Sequence, residues 1–280
     1  MDLEKTVNQI IESVPKIGSD EKTYVGEDGL LRCANCGGLR ETIFGFGGRE
    51  VKVRCLCKCL KAALDAEEER LEKEAKMRRI DQMRRTGFPD SELRKWTFEN
   101  DKGSQPKVMK AAKNYVENFS EFKKDGKGLL FYGDVGTGKT YIAACIANAL
   151  VDKGIPAMVT NFARIANKLQ ESFDGRQAYL DSLNQFDLLV IDDLAAERKT
   201  EYMQEIIFNV IDSRYRSGKP MIITTNLSLE AIKNPTETSD MRVFDRILER
   251  CFPIEVKGDS YRKKNVIDQY EDMKGKLGLN

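Results

Sequence analysis

The sequence predicts an α/β fold built on a doubly wound parallel sheet, and three observations carry that prediction. A short apolar strand, Leu129 to Tyr132, runs into a glycine-rich turn and then a helix whose apolar positions Ile142, Ile146 and Leu150 fall four apart, on one face. Two further apolar runs, Phe186 to Ile191 (FDLLVI) and Met221 to Thr225 (MIITT), have the unbroken character of strands buried on both faces. Strands alternate with helices throughout this region, as they do where parallel strands are joined by helical crossovers.

Composition sets the bounds. A chain of 280 residues allows one large domain, or a main domain with a smaller partner, and either buries a core without disulfides. Lysine and arginine total 46 against 45 acids, a net charge of +1, so nucleic-acid contact must rest on local basic patches rather than bulk charge. Histidine is absent, which excludes a Ser-His-Asp triad, a Cys-His pair and any histidine metal ligand. No apolar run reaches the about 18 residues of a membrane span. The first residues, MDLEKTVNQIIESV, read as an amphipathic charged segment rather than a signal peptide, so a soluble cytoplasmic protein without a membrane partner is expected.

In chain order, a helix is expected from Leu3 to Val14, followed by a polar stretch. Five of the seven cysteines then fall between Cys33 and Cys59. Cys33 and Cys36 form one C-x₂-C knuckle, Cys55, Cys57 and Cys59 a second set, and the residues between them suggest two short strands about a Gly47-Gly48 turn. In a reducing compartment such clustering argues for Zn²⁺ held by four thiolates in a structural site. Five candidates compete for four places. Cys33, Cys36, Cys57 and Cys59 are favoured, with Cys55 as the spare or alternate, and a set of free or redox-active thiols is the other reading. From Leu60 to Arg85 the charges stand at i,i+4 offsets, Glu69 with Lys73 and Glu72 with Lys76, over a thin stripe of Leu64, Leu71 and Ala75, and Gly87 and Pro89 end this exposed helix. Next come Trp96 and Phe98, either plain core or the wall of a base pocket, and a helix expected over Lys107 to Phe122.

Gly133, Asp134, Val135, Gly136, Thr137, Gly138, Lys139 and Thr140 match G-x-x-x-x-G-K-[ST] between strand and helix. Glycines let consecutive N–H groups turn inward around a phosphate. The helix start adds unpaired N–H groups and the positive dipole end, Lys139 brings a charge to the β- and γ-phosphates of ATP, and the Thr140 hydroxyl offers a ligand to Mg²⁺. After this helix a strand is expected over Ile155 to Thr160 and a helix over Phe162 to Phe173. The FDLLVI strand then ends in Asp192-Asp193, at the strand edge where open α/β sheets place ligands. Asp192 is expected to hold Mg²⁺ through water, and Asp193 to orient or deprotonate the attacking water. A helix follows over Lys199 to Ser217, and the MIITT strand ends in Asn226, an amide placed to reach the γ-phosphate.

The order and separation of GDVGTGKT, LLVIDDL, IITTNLS, RVFDRI and GDSYR resemble the AAA+ ATPases of the DnaC and DnaI helicase-loader type, with the IstB transposition helpers as close relatives. The similarity spans roughly residues 91 to 265, and a cysteine module ahead of the core occurs in DnaC-like proteins too. The resemblance implies an AAA+ P-loop NTPase sheet over 91–280, preceded by a zinc module over 1–60 and a helical connector over 61–90. It implies that Asn226 acts as sensor 1, Arg246 as an arginine finger reaching a neighbouring subunit with Arg242 one turn earlier, and Arg262 as the sensor 2 arginine.

The function so implied is an ATP-dependent loader of a replicative DnaB-type hexameric helicase onto single-stranded DNA in DNA replication, self-associating through Arg246. Candidate DNA contacts are the basic residues between Arg164 and Arg176 and aromatics such as Phe162. Two features depart from the pattern. Asp193 stands where most such proteins carry glutamate, so slow turnover is expected, and the tail beyond Arg262 is too short for a typical helical lid. A transposition helper and a nucleotide-switched scaffold without a DNA role are the alternatives.

Overall fold

The computed structural model describes residues 23–46, 49–101, 103, 105–171, 175–196, 200–258, 260–261, 266, 270 and 273–279. The helix expected at Leu3 to Val14, the Gly47-Gly48 turn and Arg262 lie outside the described residues. The chain divides into two compact units, Met1–Lys76 and Met77–Asn280.

In the first unit, β1 (Thr23–Val25) pairs antiparallel with β2 (Leu31–Cys33), and β3 (Glu41–Phe46) with β4 (Arg49–Arg54), Glu41 standing opposite Arg54. Among the described residues its buried apolar cluster is Cys33, Cys57 and Leu60, with Cys59 and Leu64 packed beside it. A core this small needs a further staple to hold a fold. The long helix α1 spans Lys58–Gly87. Its residues from Lys61 to Arg79 are exposed apart from half-buried Leu64, and Glu69 meets Lys73 at 2.6 Å. A solvated surface of i,i+4 pairs suits this polar sequence, each pair contributing about 0.2–0.5 kcal/mol.

The second unit takes in the end of α1. Ile80 and Phe88 are buried in its core, and Gly87 passes so close to the backbone of Ala157 that a Cβ there would sit 2.0 Å from its carbonyl oxygen. The single helix expected from Lys107 to Phe122 is instead two, α2 (Pro106–Glu117) and α3 (Phe119–Asp125). The chain turns at Asn118, whose side-chain amide donates to the Asn114 carbonyl at 2.9 Å. The turn lets Phe122 stack on Tyr115 at 4.7 Å while Phe119 meets the same ring edge-on at 5.8 Å.

Strand and helix then alternate: β5 (Gly128–Tyr132), α4 (Lys139–Asp152), β6 (Ala157–Asn161), α5 (Phe162–Glu171), α6 (Arg176–Leu183), β7 (Leu188–Leu194), α7 (Glu201–Ser217), β8 (Met221–Thr225), α8 (Leu229–Lys233), α9 (Thr238–Arg250) and β9 (Cys251–Glu255). All five strands are parallel, in the order β6-β7-β8-β5-β9. Alternate residues of each strand feed two cores. Leu129, Phe131, Leu188, Val190 and Ile222 pack with α2 and α4, whereas Leu130, Leu189, Ile191, Met221 and Ile223 pack with α5, α7 and α9. This is why the strands read as unbroken apolar runs.

One buried cation ties strand to helix. Arg214 of α7, fully buried, donates to the carbonyls of Phe186 (2.9 Å), Asp187 (2.9 Å) and Pro220 (2.6 Å). Burial brings its pKa down to about 10. These carbonyls precede β7 and β8, so the guanidinium fixes the starts of the two strands that carry the acids and Asn226.

Candidate nucleotide site and candidate metal centre

Between β5 and α4 the backbone turns through Gly133 (φ 132), Gly136 (φ 85) and Gly138 (φ 96), conformations that side-chain-bearing residues avoid. Thr137, almost fully buried, ties the loop to itself through its hydroxyl and the Asp134 carbonyl at 2.9 Å. Lys139 lies across the loop, its ammonium donating to the carbonyls of Gly133 (2.8 Å) and Asp134 (2.7 Å) and to the Asn226 side-chain oxygen (2.8 Å). Asn226 can do this because β8 neighbours β5 in the sheet, with Tyr132 level with Thr225.

The acids stand one strand further out. The Asp192 carboxylate accepts from the Thr224 hydroxyl at 2.6 Å and from Thr140 at the start of α4. Burial raises its pKa, opposed by those two hydroxyls, and the neighbouring Asp193 raises it further. A half-buried carboxylate touching a helix-start hydroxyl is a hard-oxygen donor set that fits Mg²⁺. After Asp192 the β7–β8 register slips between Ile191 and Leu194, and Asp193 takes φ 55 while its N–H donates to Thr224 at 2.9 Å. Aspartate tolerates this left-handed conformation better than most residues. The slip lets Asp193 line the same cavity as Lys139.

That cavity has a volume of about 440 Å³ and opens over the loop from Val135 to Thr140, with Lys139, Asp193 and Asn226 on its lining. Gly133, Asp134 and Asp192 are not among the residues that line it. The aromatic pair of the sequence divides. Trp96 walls the cavity, whereas Phe98 packs into the core beneath the Lys113 ammonium at 5.7 Å. The Trp96 segment is held by α4, the Tyr141 hydroxyl donating to the Thr97 carbonyl (2.7 Å) and the Asn148 amide to those of Leu93 (2.8 Å) and Trp96 (2.9 Å).

Sequence reasoning missed three participants: Thr224, Asn148 and Tyr261. The Tyr261 N–H donates to the Gly136 carbonyl at 3.0 Å, its ring lines the cavity, and a Cβ on Gly136 would meet the Ser260 hydroxyl at 2.2 Å. Glycine at a variable place of the loop motif was the one signal for this close approach.

Other candidates fall away from the cavity. Arg246 of α9 binds Asp212 of α7 within its own chain, and Arg242 is exposed one turn before it. Phe162 is fully buried against β-strand residues, so it offers no face for stacking on a base, and the expectation of an aromatic DNA contact there is corrected. Arg164 is exposed, while Lys168 pairs with Glu171 at 2.7 Å.

In the first unit the sulfurs of Cys33, Cys36, Cys57 and Cys59 all lie within 4.8 Å of one another. Cys55 points away and donates to the Leu39 carbonyl at 3.4 Å. Tetrahedral zinc with Zn–S of about 2.3 Å needs sulfurs about 3.8 Å apart, so this cage fits the ion. Burial opposes ionisation of Cys57, but the Leu60 N–H and the Cys59, Cys33 and Cys36 thiols outweigh it and bring the pKa down to about 6. Cys59, facing Cys57, Cys36 and Cys33, is pushed up to about 12.

Comparison with known proteins adds to this geometry. The family model for the IstB-like ATP binding protein matches residues 58–268. The replicative helicase loader DnaC of Buchnera aphidicola subsp. Schizaphis graminum is 31% identical over 183 residues, which cover 62% of this chain and 72% of that protein. The replicative helicase loader DnaI of Bacillus subtilis is 24% identical over 278 residues, covering 93% of this chain and 84% of that one. Among solved structures, the DnaC helicase loader superposes with a TM-score of 0.53 at 27% identity, covering 60% of this chain and all (100%) of that one.

Proposed function

The chain belongs to the IstB-like ATP binding protein family, and from that premise we propose that it is a DnaC-like ATPase that loads a replicative DnaB-type helicase onto single-stranded DNA in the cytoplasm. The observation that carries the ATPase reading is the convergence of Lys139, Asp193 and Asn226 on one cavity beside the Thr140–Asp192 pair. In this reading the loop from Gly133 to Thr140 binds the phosphates of ATP, and Lys139 exchanges its carbonyl partners for phosphate oxygens. Thr140 and Asp192 would hold Mg²⁺, which would supply charge neutralisation to the phosphates. Asp193 orients the attacking water and accepts its proton, while Asn226 fixes Lys139 and the water.

Asp193 carries one methylene fewer than glutamate, which supports slow turnover and a switch-like use of ATP. Arg246 reaches a neighbouring subunit's nucleotide, and Arg262 acts as the sensor 2 arginine. The organisation we assign is a zinc module to residue 60, a connector over 61–90 and an ATPase domain from 91 onward. The module, stapled by Zn²⁺ on Cys33, Cys36, Cys57 and Cys59, grips the helicase. The exposed basic side chain of Arg164 supports a DNA contact on α5.

The test uses the full chain, a DnaB-type helicase and a single-stranded oligonucleotide. Binding of ATP that Lys139→Ala abolishes, co-elution with the helicase and turnover that changes with single-stranded DNA are the expected results. ATP binding without helicase association would remove the loader reading, and stimulation by duplex DNA instead would favour the transposition helper. No ATP binding would remove the ATPase as well.

A further inference from the structure

α7 and α9 pack side by side on one face of the sheet, and between them one acid organises a group of cations. Asp212 of α7 is buried, with its side chain 12% exposed. Its Oδ1 accepts from both Nε and Nη2 of Arg246 at 2.9 Å, and its Oδ2 from Arg216 at 2.8 Å. The Arg246 guanidinium also donates through Nη1 to the Arg242 carbonyl at 2.8 Å and lies 5.1 Å from the Phe208 ring centre and 5.7 Å from that of Tyr215.

An arginine of a surface helix is ordinarily free to sample many rotamers and loses that freedom when it is ordered. Here a carboxylate, a carbonyl and two aromatic rings have already ordered it. The arrangement is also over-balanced in charge. Two guanidiniums share the single carboxylate of Asp212, Arg216 is 76% exposed, and Arg242 stands exposed beside them. Glu249, which accepts from the Tyr215 hydroxyl at 2.8 Å, offsets one of these charges and leaves the group positive.

The nucleotide cavity has the opposite imbalance. Among the described residues its lining carries one cation, Lys139, against the acids Asp101 and Asp193, so that even with the Mg²⁺ and Arg262 of the proposed site counted, a triphosphate beside those acids keeps net negative charge. We propose that Asp212 is a positioning residue that holds Arg246 aimed outward at the triphosphate of a second copy of this chain, an inference that rests on the reading of Arg246 as acting in trans. Asp212 touches neither nucleotide nor water. It acts by fixing Nε and one edge of the guanidinium, which leaves the remaining Nη protons to face the neighbour.

Turnover is measured with a single-stranded oligonucleotide present. Arg246→Ala is expected to lower kcat about 1,000-fold, and Asp212→Asn about 10- to 100-fold, the cost of a misplaced catalytic group. In both variants KM for ATP stays at the wild-type value, because each chain's own cavity is intact, and the double variant falls no further than Arg246→Ala alone. The decisive measurement mixes Asp212→Asn chains, which keep their own nucleotide site, with Lys139→Ala chains, which cannot hydrolyse but carry a properly held Arg246.

Mixing is expected to restore turnover at the Asp212→Asn sites to within about threefold of wild type. A purely structural Asp212 would give no rescue, since the defect would lie in the same chain as the nucleotide. If Asp212→Asn unfolds, Asp212→Glu, which keeps the charge but displaces the guanidinium by one methylene, replaces it in the same mixture. A fall in kcat for Arg246→Ala without one in the Asp212 variant, or no rescue on mixing, overturns the proposal. Unchanged kcat in Arg246→Ala overturns instead the reading on which it rests.

Discussion

Replacing Asn148 by alanine separates the wall of the nucleotide cavity from its chemistry. Asn148 is 1% exposed, and its amide nitrogen serves the carbonyls of Leu93, Trp96 and Ala144. Without it, Ala144 keeps its helical hydrogen bond and Leu93 keeps the N–H of Trp96 at 3.3 Å. The Trp96 carbonyl, which among the described residues accepts from Asn148 alone, is orphaned in a part-buried place. An orphaned carbonyl costs about 1–3 kcal/mol, and the lost bond to Leu93 about 1 more. Against this, the Asn148 carbonyl oxygen is itself buried without a partner, and removing it returns about 1 kcal/mol.

The net loss is therefore about 2 kcal/mol. Trp96 is the chain's single tryptophan, so urea unfolding followed by its emission reports on the perturbed segment. Because Lys139, Asp192 and Asp193 are untouched, KM for ATP should rise about fivefold while kcat stays within about twofold of wild type. A stability loss below about 0.5 kcal/mol, or a fall in kcat as large as that in kcat/KM, would refute the assignment of Asn148 as the anchor of this wall.

Three further outcomes are expected. Gly87→Ala places a methyl 2.0 Å from a backbone carbonyl that has no room to move, and should lower unfolding stability by about 3 kcal/mol without changing KM. Asp192→Asn should abolish Mg²⁺-dependent turnover, and its effect on stability should have a defined sign. Burial raises the Asp192 pKa, so the folded chain holds that proton more tightly than the unfolded one, and the stabilisation present at low pH is lost as pH rises through the raised value. The variant should therefore gain on wild type in unfolding midpoint between mildly acidic and neutral pH, and equal midpoints at both would count against the burial argument. Cys57→Ser should lose bound zinc in a metal assay of the purified protein, whereas Cys55→Ser should retain it, and loss from both would mean that Cys55 enters the cage.

Much of this was legible in the sequence because it depends on local chemistry. The phosphate loop announces itself in its glycines, and the strands FDLLVI and MIITT announce themselves as doubly buried because both of their faces meet a core. What the sequence hid depends on partners far along the chain. Phe162 looks the same whether it stacks on a base or fills a core, and only the approach of β7 and α7 decides that it is buried. The break at Asn118 carries no glycine or proline, and it follows from how Tyr115 receives Phe119 and Phe122. Strand β9 is missed because CFPIE contains a proline and alternates poorly, yet on the sheet edge it needs only one partner, β5.

The sheet order explains why these residues can act together. Inserting β8 between β5 and β7 separates the phosphate loop from the acids by one strand, which leaves room for Asn226 to meet Lys139 and for Thr224 to meet Asp192. The same β7–α7 unit that ends its strand in Asp193 carries Asp212 on its helix, with the buried Arg214 two residues on pinning that helix to the strand starts. A change at the strand end when its own nucleotide is bound would have to travel along α7, packed on β7 through a shared core, to reach the acid that holds Arg246. If Arg246 acts in trans as proposed, one strand–helix unit would both face the nucleotide of its own chain and aim the guanidinium offered to the next. Coupling of that kind requires Asp193 and Asp212 substitutions to be non-additive in assembled protein.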